Sequence, residues 1–284
     1  MTLLRKTKLL SAFFTLTIGS GFAHSQQRDT FLGIKLPPEV RSIVKEIEDK
    51  TRQPIHAEFA EQPEFQFGAS YIDDDSGVAI ISVDPAMRSD EQKLEAIITH
   101  ELLHLRLRVN NYPTFIFSPN IRTAKGRAID VEQEHVNDLR SIIEHRIFKS
   151  DMERFGVYKY IDLAGDTAAG ARDRKGDQDG EADAINYARA ILEYPDPRDT
   201  ALVKQLFQAN GWTRSIKDGS EIANAISTST LTTPKDLETV FLRCLLILYR
   251  PPGASFTFTF SVDPTNKYFR RLVINSAKTV RKRT

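Results

Sequence analysis

Two histidines four residues apart flank a glutamate in His100-Glu101-Leu102-Leu103-His104. On a helix, residues at i and i+4 share one face, so His100 and His104 can present ring nitrogens to a single metal ion. A metal ion lowers the pKa of a bound water toward about 7 and polarises a carbonyl. Glu101, next to the first ligand, can accept that water's proton as it attacks and pass it on to a leaving amine. One helical turn therefore supplies two ligands and one base.

The setting favours a buried helix over an exposed histidine pair, because Ile97, Ile98, Leu102, Leu103 and Leu105 surround the motif. A β-like segment, Gly77 to Val83, lies just upstream. With it, the stretch from about residue 77 to 148 resembles the zincin (HExxH) zinc metallopeptidases. The resemblance implies a small mixed or antiparallel sheet whose edge strand lies over the active-site helix, with extended substrates adding to that edge. It also implies one Zn2+ per chain and a water activated by Glu101. Arg106 departs from the extended zincin pattern, which has an apolar residue there.

A catalytic zinc has three protein ligands and an open position. The HExxHxxGxxH form is absent, since Leu107 and Asn110 stand where Gly and His are required. The resemblance is therefore gluzincin-like, with the third ligand expected from a second long helix over Asp130 to about Phe148. Glu144 is favoured there: a carboxylate among Ile142, Ile143 and Ile147 is expensive to bury unless it is paired or binds metal. Glu134 with Asp138 forms a competing ExxxD pair, although the helix dipole alone explains an acid at Glu134. Asp138 and His145 remain open as ligands. His145, Tyr158 and Tyr160 are candidates for stabilising a developing oxyanion.

The elements that must position these residues can be read from pattern. Pro37-Pro38 precedes apolar Val40, Ile43, Val44 and Ile47 at helical spacing. Short strands are expected at Ile55–Phe59, Ala69–Ile72 and Val78–Val83, with a hairpin turn over Asp73–Gly77. Ser89 with Gln92 reads as a capping box opening the HExxH helix, which Asn110, Asn111 and Pro113 close. Residues 162–183, rich in Gly, Ala and charge, read as a loop or insert. Within it, Asp177-Gln178-Asp179-Gly180 is an exposed turn rather than a calcium loop, because the other ligand positions are missing. Helices follow near 181–193, 197–209, 219–227 and 234–249. Phe256–Val262 alternates as a half-buried strand does, and a partner strand is expected near Tyr268–Ile274.

The fold class expected is α+β, zincin-like, with a mainly helical C-terminal part. Residues 1–25 read as a signal peptide, with Arg5, Lys6 and Lys8 before an apolar run and Ala23-His24-Ser25 as cleavage site. Residues 26–160 form the metal-binding core. Residues 161–284 form a helical extension ending in a β-hairpin, either a separate subdomain or part of the same domain.

The 284 residues, 40% of them hydrophobic, suffice for a sizeable core, and the net charge of +1 gives no nucleic-acid signal. Removal of the leader's three cations leaves about −2. The lone Cys244 cannot form an intrachain disulfide and sits in an apolar helical run, as a core residue does. These features point to an exported bacterial protein, periplasmic or secreted, without stable membrane insertion after leader cleavage. Its partner would be a peptide or protein substrate. The function expected is that of a zinc metallopeptidase, the alternative being a non-catalytic zincin-fold binding or regulatory protein of the cell envelope.

Overall fold

Val40, Ile43, Val44 and Ile47 form the buried stripe of α1 (Pro38–Thr51), which starts behind Pro37 and ends at Arg52 in the left-handed region. The computed structural model describes residues 30–62, 66–73, 75–116, 132–160, 163–174, 179–194, 196–249, 256–262 and 269–276. The expected leader and cleavage site, Asp130, Asp177, Gln178 and the basic C-terminal tail lie outside these residues. A short antiparallel pair, β1 (Thr30–Phe31) and β2 (Ile34–Lys35), precedes α1 and buries Phe31 and Ile34 in the main core.

The first three-stranded sheet holds β3 (His56–Phe59), β4 (Gly68–Ile72) and β5 (Ala79–Val83) in the order β3-β5-β4. β5 pairs parallel with β3 and antiparallel with β4, in the register Gly68↔Val83 to Ile72↔Ala79. The segment expected to be the edge strand over the HExxH helix is thus the central strand. Its alternating Ala79, Ile81 and Val83 are fully buried, and β4 takes the edge. β4 meets β5 across the expected hairpin, but the pairing of β3 along the other side of β5, which makes β5 central, is not visible in the local pattern of Gly77–Val83.

Asp84 accepts a hydrogen bond from the Ala86 amide at 2.8 Å and opens a 3-10 turn over Pro85–Ser89. That turn consumes Ser89. The N-cap of α2 (Glu91–Val109) is therefore Asp90, whose carboxylate accepts from the Lys93 amide at 2.9 Å. Ser89 is not the cap that the sequence suggested. Ile97, Ile98, Leu102, Leu103 and Leu105 are all buried. Burying each such side chain contributes about 1.5–3 kcal/mol, so α2 is fixed as a core helix.

The strand β6 (Thr114–Ile116) leads to α3 (Gln133–Arg154). The expected end near Phe148 is a kink, with φ −107° and ψ 20°, beyond which the helix continues. The stretch expected to be a loop contains α4 (Leu163–Asp173), whose Ala168 and Ala171 are buried. Alanine is the strongest helix former, and an alanine-rich face can pack closely. Asp179, from the stretch expected to be an exposed turn, is half-buried and accepts hydrogen bonds from the amides of Arg214 (2.7 Å) and Ser215 (3.0 Å), so it satisfies the start of another helix.

That helix is α7 (Thr213–Ser227), six residues longer at its start than the sequence suggested. It follows α5 (Glu181–Glu193) and α6 (Pro197–Ala209), and precedes α8 (Pro234–Tyr249). The crossing of α5 and α7 depends on Gly219, where an added Cβ would stand 2.5 Å from the Ala184 carbonyl oxygen. β7 (Phe256–Val262) and β8 (Phe269–Ser276) form the expected antiparallel pair, and β8 also runs parallel to β6 in a second three-stranded sheet.

The fold is α+β, dominated by helices, with small sheets. Ile97, Leu139 and Ile142 share one hydrophobic core with Ile185 of α5, Ile222 of α7 and Phe241 of α8, so the C-terminal helices complete the core of the N-terminal half. A smaller cluster of Tyr187, Tyr194, Val203, Phe207 and Trp212 ties α5 to α6. Among the described residues no helix is long and apolar enough to cross a membrane.

Candidate metal centre

α2 and α3 bring three imidazoles together. His100 Nε2 lies 2.8 Å from His145 Nε2, His104 Nε2 lies 3.2 Å from His100 Nε2, and His145 Nε2 lies 3.3 Å from His104 Nε2. Three nitrogens at about 2.0–2.1 Å from a tetrahedral ion stand about 3.3 Å apart. The triangle is close to that size. All three rings are at least four-fifths buried. Phe148, at the kink of α3, packs its ring edge-on to His104 with centroids 5.0 Å apart and closes one side of the cluster.

The opposite ring nitrogens all face carboxylates. His104 Nδ1 lies 2.7 Å from Glu144 Oε2, His145 Nδ1 lies 2.9 Å from Glu193 Oε1, and His100 Nδ1 lies 3.3 Å from Glu101 Oε1. An ionised carboxylate only accepts, so an imidazole that bonds to one does so through an Nδ1 proton, which leaves its Nε2 as the acceptor. The Nε2 lone pairs then converge on one point. The Ser141 hydroxyl, 3.2 Å from His145 Nε2, can offer one proton. Burial depresses His104 to about 4, with its hydrogen bond to Glu144 opposing, so that ring is neutral near pH 7. Converging Nε2 atoms on buried, carboxylate-oriented imidazoles are the donor set of a metal site, and the group can hold a metal ion.

Glu144, expected as the third ligand, is placed behind His104. It is fully buried, as the burial argument required, but its partners are cations. Arg108 Nη2 donates to Glu144 Oε1, and Arg140 Nε lies 3.5 Å from the same oxygen. Burial opposes ionisation of Glu144, and Arg108, Arg140 and His104 outweigh it, holding the carboxyl far below the usual range. Arg108 is anchored in turn on the carbonyls of Tyr112 (3.1 Å) and Pro113 (3.0 Å). The nitrogen that completes the triangle belongs to His145, the next residue.

The other candidates separate clearly. Glu134 is exposed at the start of α3. Asp138 accepts from Arg189 at 3.3 Å. The Tyr158 hydroxyl is buried, with no hydrogen-bond partner among the described residues. Arg106 pairs with Asp151 of α3, which explains a cation where an apolar residue was expected.

Glu101 is buried beneath the edge strand. Ser70 of β4 donates to Glu101 Oε2 at 2.7 Å, while Oε1 faces His100. Burial alone would raise this carboxyl. The hydrogen-bonding contacts from His100 and the Ser70 hydroxyl, with His104 close by, outweigh burial and hold it at about 2, so Glu101 is ionised near pH 7. β4 approaches so closely that a Cβ on Gly68 would stand 2.7 Å from Ile97 Cγ2.

Ser70 and Glu193 carried no signal in the sequence, since both act across long separations. Glu144 did carry one: Arg140 precedes it by four residues, the spacing of a helical ion pair. Comparison with protein-family models, with curated proteins and with solved structures finds no match for this chain.

Proposed function

We propose that this chain is an exported zinc-dependent metallopeptidase with His100, His104 and His145 as ligands and Glu101 as the base. The observation that carries this reading is the convergence of three Nε2 lone pairs one residue from a buried carboxylate. Three imidazoles without a cysteine or carboxylate suit zinc in an open, catalytic coordination rather than a closed structural one. When bound, zinc would supply a Lewis acid that polarises a carbonyl and makes water nucleophilic near neutral pH.

The chain's own residues would do the rest. Glu101 takes a proton from the attacking water as the water oxygen bonds to the scissile carbonyl carbon. The same proton then goes to the amine as the C–N bond breaks. Ser70 fixes the carboxylate at 2.7 Å, so little orientation is lost at the moment of transfer. Among the described strands β4 pairs with β5 alone, and its outer edge is where an extended peptide would add as a further strand. An edge strand over an HExxH helix supports the zincin-like reading. The third histidine comes from α3, which sets this site apart from a single-segment three-histidine motif. Export rests on the leader-like residues 1–25.

The test is metal content and peptide hydrolysis by the purified mature chain, compared with Glu101→Gln. The expected result is near-stoichiometric zinc in both proteins and a 10²–10⁴-fold loss of rate in the variant. Lack of zinc in the wild type refutes the metal reading. Equal hydrolysis by both proteins refutes the role of Glu101.

A further inference from the structure

Glu193 is the last residue of α5 and is 3% exposed. Two effects oppose a carboxylate there. Burial of a charge is costly unless it is paired, and the helix C-terminus carries partial negative charge. What compensates is specific. Glu193 Oε1 lies 2.9 Å from His145 Nδ1, and Glu193 Oε2 faces Arg189 Nε, one turn back on α5, at 3.7 Å. Arg189 also donates to Asp138 of α3 at 3.3 Å. Asp138 and His145 on α3 thus interlock with Arg189 and Glu193 on α5, and His145 alone of the four reaches the Nε2 cluster.

We propose that Glu193 is a positioning residue for metal binding. It fixes His145 as its Nδ1–H tautomer with Nε2 aimed at the cluster, and Arg189 steadies Glu193. The inference rests on His145 being a ligand. It goes further in making the C-terminal helices, through α5, part of the metal site: a chain with an intact HExxH helix and His145 would still bind metal poorly without α5 correctly docked. Outer carboxylates of this kind hold the ligand ring in its binding orientation and raise its basicity, and their loss commonly costs about 10–100-fold in metal affinity.

The experiment measures zinc affinity by competition with a chromophoric chelator, and the visible absorption of the cobalt(II)-substituted protein. Wild type is compared with Glu193→Ala, Glu193→Gln, His145→Ala and a control, Glu238→Gln. Glu238 is a similarly buried carboxylate paired with Lys235 and Arg270, away from the histidines. Glu193→Ala is expected to weaken zinc binding by about 10–100-fold and to alter the cobalt spectrum. Glu193→Gln, whose amide oxygen can still accept from Nδ1, is expected to recover much of that loss, and Glu238→Gln to match wild type. Wild-type affinity and spectrum in both Glu193 variants overturn the proposal. If His145→Ala also binds as wild type does, the three-histidine reading fails instead. Should Glu193→Ala not fold, Glu193→Gln and the histidine ¹⁵N shifts of the metal-free wild type decide, since a His145 protonated on Nε2 rather than Nδ1 also overturns it.

Discussion

Glu144 Oε2 accepts the Nδ1 proton of His104 at 2.7 Å, so the carboxylate faces the back of the imidazole and not the point where the Nε2 atoms meet. This relationship separates two substitutions. His145→Ala removes a nitrogen of the triangle and is expected to abolish stoichiometric zinc binding while leaving the fold intact. Glu144→Gln keeps an acceptor for His104 and is expected to retain zinc with about 10–100-fold weaker affinity. It also strands Arg108, whose side chain is 8% exposed, and loss of one partner of a buried pair costs about 3–5 kcal/mol. Chelator competition and urea unfolding together check both halves. The ligand assignment fails if Glu144→Gln loses metal while folded and His145→Ala keeps it.

Metal removal is expected to destabilise the protein. Without a cation, the His104 and His145 lone pairs face each other at 3.3 Å in a buried cluster. A ligand that binds only the folded chain stabilises it by about 4 kcal/mol at a thousand times its Kd. For a chain of this size a chelator should therefore lower Tm by on the order of 10 °C. His145→Ala should melt at one temperature with or without chelator. A wild-type Tm indifferent to chelation would count against the site.

What could be read from sequence was whatever a single segment decides. Helical spacing alone placed His100 and His104 together, and the leucines and isoleucines around them dictated a buried helix. Likewise Pro234–Tyr249 and the alternating Phe256–Val262 formed as their periodicities required. What could not be read depended on partners from elsewhere. Glu144 was recognised as an acid too buried to be idle, but Arg108, the cation that donates to it, comes from the other helix. The edge position of β4 depends on β3 taking the other side of β5, and Glu193 meets His145 across 48 residues. Residues 163–173 misled for a different reason: glycine and charge suggested a loop, although the alanines form a packing face.

Cys244 gives a check on the core apart from the metal. Its side chain is fully buried, and burial pushes the thiol up to about 12, with Arg243 opposing weakly. Native protein should therefore fail to react with an aromatic disulfide reagent at pH 8 and react fully once unfolded. Cys244→Ser should cost about 1–3 kcal/mol for an unpaired buried hydroxyl, more than Cys244→Ala. Rapid labelling of the native chain would show that α8 does not pack as described.

Gly68 tests how closely β4 must lie on the helix. A Cβ there would stand 2.7 Å from Ile97 Cγ2 and 3.3 Å from both Cγ and Oε1 of Glu101. Ile97 is 2% exposed and cannot yield, so Gly68→Ala must lift β4 or displace Glu101. Such overpacking costs about 1–3 kcal/mol. The displacement also strains the 2.7 Å bond from Ser70 that orients the carboxylate, and a shift of about 1 Å at a reacting group can cost about 100-fold in rate. β4 contributes no nitrogen to the histidine triangle, so zinc affinity should hardly change. Gly68→Ala is thus expected to remain folded and metal-loaded while peptide hydrolysis falls by about 10–100-fold, as read by parallel zinc and rate measurements. Ser70→Ala, which removes the bond without adding bulk, should lower the rate less and leave stability nearer wild type. Full activity in Gly68→Ala would mean that β4 is not held against Glu101 during turnover.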